Sequence, residues 1–205
     1  MSFKDWVDDW YWQWRRHSLF RRLFTCFLCL IILVLFVILV VWLVLRSSKP
    51  KFYLQGATVG QFNLSDPNLL SSVIQVTISS YNPNDHISIY YDRLDVYAAY
   101  RGQQITAPPT TLLTVYQDHN DVIVWSPYLN GTAILLAPYL ATTVVQDESA
   151  EVMLIHIKID GSLRWKVGTW ISSHYHIDVN CPALFTVDSS KRFQFQNNTS
   201  CSVDV

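Results

Sequence analysis

The chain has 205 residues, of which 50% are hydrophobic and 15% are charged, with a formal net charge of −1. Much of the hydrophobic fraction lies in one N-terminal run. From Phe52 onward, seven Lys and Arg residues stand against thirteen Asp and Glu residues, a net charge of −6. This balance excludes a nucleic-acid partner, because no basic surface is available to replace phosphate counterions.

Residues 1–22 combine an apolar stripe with a basic cluster. The stripe recurs at helical spacing and consists of Phe3, Trp6, Val7, Trp10 and Trp14. Because Trp favours the membrane–water interface, this pattern predicts a short interfacial helix on the cytosolic leaflet. A docking site for a cytosolic protein is the alternative. Twenty-two residues are too few for a catalytic domain.

Residues 23–45 contain no charge, Gly or Pro. As a helix they would extend roughly 35 Å, enough to cross a hydrocarbon core of about 30 Å. A cleavable signal peptide has a shorter apolar region and a small-residue cleavage site, and here Arg46 follows without such a site. We therefore predict a retained signal-anchor helix.

The basic residues around this run predict its orientation. Five precede it and three follow it closely: Lys4, Arg15, Arg16, Arg21 and Arg22 before, then Arg46, Lys49 and Lys51 after. The excess at the first end favours a cytosolic N-terminus and an extracellular C-terminus. Residues 46–205 then form one outer domain of ordinary size.

The four cysteines divide into two pairs. Cys26 and Cys29 lie in the cytosolic half of the predicted span, where they are either S-palmitoylated or simply small apolar helix residues. Cys181 and Cys201 lie in the outer domain. If that side of the membrane is oxidising, these two are expected to form a disulfide that adds about 3 kcal/mol of stability.

The outer domain alternates apolar and polar residues with a period of two, as in Ile74–Ile78 and Met153–Ile159. Many such runs separated by turn residues predict a mainly β fold, an antiparallel sandwich. The exception is 132–145, where a helical spacing is interrupted by Pro138, so a short helix or an irregular crossover is expected. Further predicted strands are 52–62, 94–98, 111–117, 121–126, 163–169, 174–181 and 192–196.

Turn residues separate these runs, among them Asn130-Gly131 and Asp160-Gly161. Glycosylation sequons begin mostly in predicted loops or tails, which supplies the exposure that glycosylation requires; they begin at Asn63, Asn130, Asn197 and Asn198. The last two overlap, so at most one of them is expected to be occupied efficiently.

No residue pattern predicts catalysis or a cofactor. His174 and His176 would project from one strand face, but no third ligand with metal-site spacing accompanies them. The carboxylates that could be paired for acid–base chemistry are expected to ionise normally; they are Asp92 with Asp95 and Asp118 with Asp121. No nucleophile elbow, zinc-protease, Walker or dinucleotide motif occurs. We expect neither metal, nor cofactor, nor enzymatic activity.

Two blocks resemble a plant family. They are Tyr81–Asp92, with its Asn-Pro-Asn sequence, and Gly161–Gly168, which is followed by Tyr175–Cys181. In this order, after a short stub and a single span, they resemble the harpin-induced and non-race-specific-disease-resistance-like membrane proteins. The outer part of those proteins is a late embryogenesis abundant group-two domain, also described as a hydroxyproline-rich glycoprotein family.

The resemblance implies an immunoglobulin- or fibronectin-III-like sandwich and roles in defence, stress or cell-wall contact. It implies no active site, and the matching residues carry structural roles. These residues are Asn82, Pro83, Asn84, Tyr90, Tyr91, Asp92, Arg164, Lys166, Val167 and Gly168. The expected location is the plasma membrane, plasmodesmata included.

The leading hypothesis is a non-enzymatic plasma-membrane glycoprotein whose partners are membrane lipids and cell-wall components or other membrane proteins. An alternative makes the outer domain a lipid- or hydrophobe-binding module that opens between its sheets, with a gap lined by Trp125, Tyr128, Trp165 and Trp170. A third, carried only by the family name, is protection of membranes during drying. The aromatic-rich strands oppose it, because such protectants are usually hydrophilic and disordered.

Overall fold

A computed structural model describes residues 21–39, 47–65, 68–188, 192–196 and 198–205. The chain divides into two compact units, Met1–Arg46 and Ser47–Val205. The interfacial helix predicted within residues 1–22 lies outside the described residues, apart from its last two positions. The end of the predicted span, residues 40–45, also lies outside them.

Helix α1 (Arg21–Leu39) has a mean hydropathy of 2.9, and none of it is buried by the rest of the protein. Its apolar side chains point outward in every direction, as expected for a helix solvated by lipid rather than packed in a core. Cys26 and Cys29 are exposed free thiols on this helix. The helix is long and apolar enough to cross a membrane, as the sequence predicts.

The first sheet of the second unit is antiparallel and is built around a long hairpin. Its order is β13 (Thr199–Ser200), β1 (Lys51–Ser65), β2 (Leu69–Tyr81) and β7 (Val122–Trp125), with β8 (Tyr128–Leu135) pairing with another stretch of β2. The β1–β2 register runs from Lys51 opposite Tyr81 to Ser65 opposite Leu69. The hairpin therefore defines two ends of the domain. The end with Lys51 and Tyr81 is called the basal end, and the end with Ser65 and Leu69 the distal end.

The second sheet is larger and also antiparallel. Its order is β12 (Phe193–Phe195), β11 (Tyr175–Val187), β9 (Val152–Val167), β3 (Ser88–Tyr100) and β4 (Gln103–Gln104). Four short strands extend it along its long members: β5 (Thr110–Leu112) and β6 (Val115–Gln117) pair with β3, β10 (Trp170–Ile171) pairs with β9, and β14 (Ser202–Asp204) pairs with β11.

One apolar core joins the inward faces of the two sheets. Ile78 of the first sheet and Ile157 and Val179 of the second are fully buried. The rings of Phe52 and Tyr91, from opposite sheets, meet edge-on at 6.1 Å. Each fully buried large side chain contributes about 2 kcal/mol through its removal from water. The predicted mainly β sandwich is confirmed.

Helix α2 (Pro138–Ser149) occupies the region of predicted helical spacing. Pro138 begins this helix instead of interrupting it, because the first helical turn needs no backbone N–H from that residue. Leu140 and Val144 are buried against the core. Tyr100 at the end of β3 donates a 2.6 Å hydrogen bond to Asp147, which fixes α2 to the second sheet.

Two predicted turns are wrong. Gly131 lies inside β8 and Gly161 lies inside β9. A Cβ on Gly161 would lie 2.0 Å from the carbonyl oxygen of Arg93, and one on Gly131 would lie 2.2 Å from that of Ile105. These glycines allow close backbone approach rather than a change of direction, a distinction that a short Gly-containing motif does not make.

Replacing Gly161 with Ala is expected to lower the free energy of unfolding by about 3 kcal/mol, because the new methyl group meets backbone that cannot turn away. Gly60→Ala is the matched control, since a Cβ there has only the Val73 carbonyl oxygen in reach, at 3.8 Å. Urea unfolding of the detergent-solubilised full chain, followed by near-ultraviolet circular dichroism, measures both variants. Equal unfolding midpoints would contradict the close-approach role.

Candidate functional site

The Asn-Pro-Asn block forms a buried amide network at the basal end. The Asn82 side chain is fully buried. Its Nδ2 donates to the carbonyl oxygens of Ile87 at 2.7 Å and Asp118 at 3.0 Å. Its Oδ1 accepts from the backbone N and Nδ2 of Asn84 at 3.2 and 2.8 Å. Because β2 ends at Tyr81 and Ile87 leads into the second sheet, this one amide links both layers.

Asn84 extends this network to the start of the domain. Ser48 donates its N–H to Asn84 Oδ1 at 2.7 Å, and Asn84 Nδ2 donates to the Ser48 carbonyl oxygen at 2.9 Å. The side-chain amide thereby pairs with the backbone as a neighbouring strand would. Lys49 adds contacts of 3.3 Å to the Val203 carbonyl oxygen and the Asp204 carboxylate. The block fastens the chain where it enters the sandwich, which is a structural role.

A second buried network lies beside the first and was not predicted. Tyr91 Oη bonds Ser80 Oγ at 2.8 Å and donates to Gln117 Oε1 at 3.1 Å. Gln117 Nε2 donates to the carbonyl oxygens of Ser80 and Asp121. Burial raises the pKa of the Tyr91 phenol, so it remains protonated. The only sign of this network in the sequence is Gln117, a polar residue at a strand position that faces the core.

The outer surface of the second sheet carries a cluster of cations and aromatic rings. Tyr90 lies opposite Tyr116 on one neighbouring strand and Arg164 on the other. The two rings are 4.7 Å apart, and Lys166 Nζ lies 4.9 Å from the Tyr116 centroid and 5.8 Å from that of Tyr90. Arg164 lies 5.7 Å from the Tyr90 ring. These four residues are called the cation–aromatic face, and three of them belong to the family motifs.

Asp92 borders this face and is held as an anion. Arg164 donates hydrogen bonds from Nε and Nη2 to the Asp92 carboxylate, and His174 Nε2 lies 3.5 Å from the same carboxylate. The hydrogen bond from Arg164 is the main reason that the pKa of Asp92 is lowered. The backbone N–H of His119 and the hydroxyl of Ser88 similarly lower the pKa of Asp118 to about 2.

The expectation that these carboxylates ionise normally is therefore wrong for Asp92 and Asp118. The pKa of each is lowered, because both carboxylates accept hydrogen bonds that stabilise the anion. Asp95, the predicted partner of Asp92, instead bonds Arg93 and Thr111. Carboxylates held in this way are poor proton donors near neutral pH, which argues against Asp92 and Asp118 as general acids.

The two histidines contact different carboxylates. β11 begins at Tyr175, one residue after the predicted start, so His174 lies just before the strand and His176 within it. His176 Nε2 lies 3.6 Å from Asp160, and His174 faces Asp92. Among the described residues, no group of three His, Cys, Asp or Glu side chains could hold a metal ion.

The predicted disulfide between Cys181 and Cys201 is present, with a sulfur–sulfur distance of 1.97 Å. Cys181 is buried on β11 of the second sheet. Cys201 lies between β13, which pairs with the first sheet, and β14, which pairs with the second. The bond therefore fixes the C-terminal segment where it passes from one sheet to the other.

The sequon asparagines remain predicted glycosylation sites. Asn63 and Asn130 lie in strands β1 and β8 rather than in loops, but their side chains are exposed. Asn198 is exposed near the C-terminus, and Asn197 lies outside the described residues. Palmitoylation of the two exposed thiols on α1 likewise stays a prediction.

The four aromatic residues of the lipid-binding hypothesis differ in burial. Trp125 is partly buried and stacks on Phe52, and Trp165 is buried. Tyr128 and Trp170, in contrast, are 56% and 62% exposed. Two of the four rings therefore pack against the core, whereas the other two are largely exposed to solvent.

With this geometry established, comparison with known proteins identifies the family. The family model described as "Late embryogenesis abundant protein" matches residues 77–181, which include both sequence blocks. The chain is 45% identical over 202 residues to NDR1/HIN1-like protein 1 of Arabidopsis thaliana, covering 93% of this chain and 95% of that protein. The chain belongs to the NDR1/HIN1-like family.

Two further relatives from Arabidopsis thaliana support this membership. NDR1/HIN1-like protein 12 is 47% identical over 72% of this chain and 70% of its own length, and NDR1/HIN1-like protein 26 is 40% identical over 80% and 78%. Membership of this family fits a role in plant stress or defence. The relatives of the chain belong to no known enzyme family. With helix α1, it also indicates association with a membrane.

Proposed function

We propose that this NDR1/HIN1-like protein is a single-pass plasma-membrane glycoprotein without enzymatic activity. Its outer sandwich acts in defence or stress responses by contacting cell-wall components or other membrane proteins. The observation that carries the proposal is the succession of a fully exposed apolar helix and a disulfide-bonded β-sandwich. The helix provides the anchor and the sandwich a rigid binding surface.

The orientation rests on independent chemical features of the two units. Structural disulfides persist on the oxidising side of membranes, so the Cys181–Cys201 bond supports an extracellular sandwich. The exposed side chains of Asn63, Asn130 and Asn198 provide glycan acceptors on the same unit. The basic residues before α1 favour a cytosolic N-terminus.

The absence of enzymatic activity rests on how the polar groups of the domain are used. Asn82, Tyr91 and Gln117 are satisfied by one another and by backbone groups. Asp92 is committed to Arg164, and Asp118 to backbone and hydroxyl donors. These contacts give the named groups structural roles, which supports the proposal of a protein without enzymatic activity.

Glycosidase treatment of the full chain expressed in plant cells tests the orientation. The wild-type protein is expected to shift to higher mobility after deglycosylation, and the combined variant N63Q/N130Q/N197Q/N198Q is expected to lose the shift. Ser65→Thr is the matched control, because it retains the first sequon. A glycosidase-insensitive protein whose C-terminal tag is shielded from protease in sealed cells would contradict the orientation.

The cation–aromatic face is the surface proposed to contact the partner. Tyr and Arg are enriched at the centres of protein interfaces, and this face presents both residue types on a rigid sheet. Tyr116 is 40% exposed, and Lys166 supplies a positive charge beside it. Because Arg164 is bonded to Asp92, Lys166 is the cation of this face that a carboxylate group on a wall polysaccharide or a protein would contact.

Proximity labelling in the native membrane tests this contact. The double variant Tyr116→Ala/Lys166→Gln is expected to reduce labelling of its partners about tenfold, the effect of losing one strong interface contact. Tyr128→Ala on the first sheet is the control, since it removes a similarly exposed ring elsewhere. Unchanged labelling by the double variant, or an equal loss from the control, would refute this choice of surface.

A further inference from the structure

Large apolar side chains are exposed at three positions between the end of β9 and the start of β11. Trp170 is 62% exposed, Ile171 42% and Tyr175 45%. The turn between β9 and β10 contains Gly168 at a φ of +58°, a conformation that suits Gly. Three exposed apolar groups of this size within six residues of the chain favour contact with an apolar or interfacial partner.

These residues lie at the basal end, where the chain enters the domain. Asn84 holds Ser48, and Asn82 bonds both Asn84 and the Ile87 carbonyl oxygen. The next residue along β3, Ser88, lies opposite Lys166, which in turn lies opposite Ile171. A continuous series of direct contacts therefore connects Ser48 with the β9–β10 turn.

With the span anchored as proposed, covalent reach limits how far this end can lie from the bilayer. The predicted span ends at Leu45, and Ser48 follows three residues later. Three residues extend at most about 10 Å in any conformation. Because two hydrogen bonds to Asn84 hold Ser48 in the sandwich, the chain cannot release more length without breaking them.

The side chains of the basal end indicate which kind of surface this end contacts. Trp and Tyr favour the membrane–water interface, where the ring is partly buried in lipid and its polar group stays hydrated. Three lysines, Lys49, Lys51 and Lys166, lie here among four acidic residues, Asp85, Asp118, Asp121 and Asp204. With no net basic charge to attract anionic lipid, a zwitterionic headgroup surface is the matching partner.

We propose that Trp170, Ile171 and Tyr175 dock the basal end of the sandwich onto the outer leaflet of the membrane that anchors the chain. This inference rests on the proposed anchoring by α1. Docking would hold the sandwich upright, with its distal end presented away from the membrane at a distance of about 40 Å, the length of the 13-residue strand β2.

Depth-dependent fluorescence quenching in vesicles tests the docking. The full chain carries Cys26→Ser and Cys29→Ser, and Thr169→Cys beside Trp170 bears an environment-sensitive fluorophore. Phosphatidylcholine vesicles contain lipids spin-labelled near the headgroup. Thr142→Cys on α2 is the matched control, because it is exposed near the distal end. Quenching is expected to be at least about threefold stronger at position 169 than at position 142.

Adding Trp170→Ser to the position 169 variant is expected to reduce quenching toward the level of the control. Equal quenching at positions 169 and 142, in protein that resists carbonate extraction, would overturn the docking while leaving the anchor intact. Loss of the protein from vesicles on carbonate extraction would instead refute the anchor, and the docking with it.

Discussion

The structure depends on the pairing of two side-chain amides at one end of the sandwich. Asn82 is fully buried and joins the end of the first sheet to the start of the second. Asn84 joins that amide to Ser48, where the chain enters the domain. A buried amide left without partners would cost about 1–3 kcal/mol, so these contacts form as a set, and Pro83 between them restricts the backbone. The network holds Ser48 at the basal end, where β1 begins.

The remaining features reinforce this arrangement. The Cys181–Cys201 disulfide fixes the C-terminal segment as it crosses between the sheets, and Cys201 donates its backbone N–H to Phe52 near the start of β1. Lys49 contacts the last strand, so both chain ends of the domain are held at the basal end. A rigid sandwich with a defined basal end can present its outer sheet surface in a constant direction. This property is what the proposed tethered recognition module requires.

The sequence predicts those parts of the molecule that depend on local patterns. Alternation of apolar residues identified most long strands, and the uncharged run identified α1. Predictions failed where the same residue type serves two purposes. The sequence predicted turns at Gly131 and Gly161, yet both lie within strands, each next to a neighbouring carbonyl group. Pro138 read as an interruption but begins α2. The partners of Gln117 and Asp92 could not be read from the sequence, because Tyr91 and Arg164 reach them only through strand pairing.

Residue-resolved hydrogen exchange of the full chain in lipid nanodiscs tests the central role of the amide pair most directly. The account predicts that the Ser48 amide exchanges about a hundredfold more slowly than an unprotected amide, and that Asn84→Ala abolishes this protection, whereas Asn198→Ala leaves it unchanged. Rapid exchange of Ser48 in the wild-type protein, or protection that survives Asn84→Ala, would contradict the account.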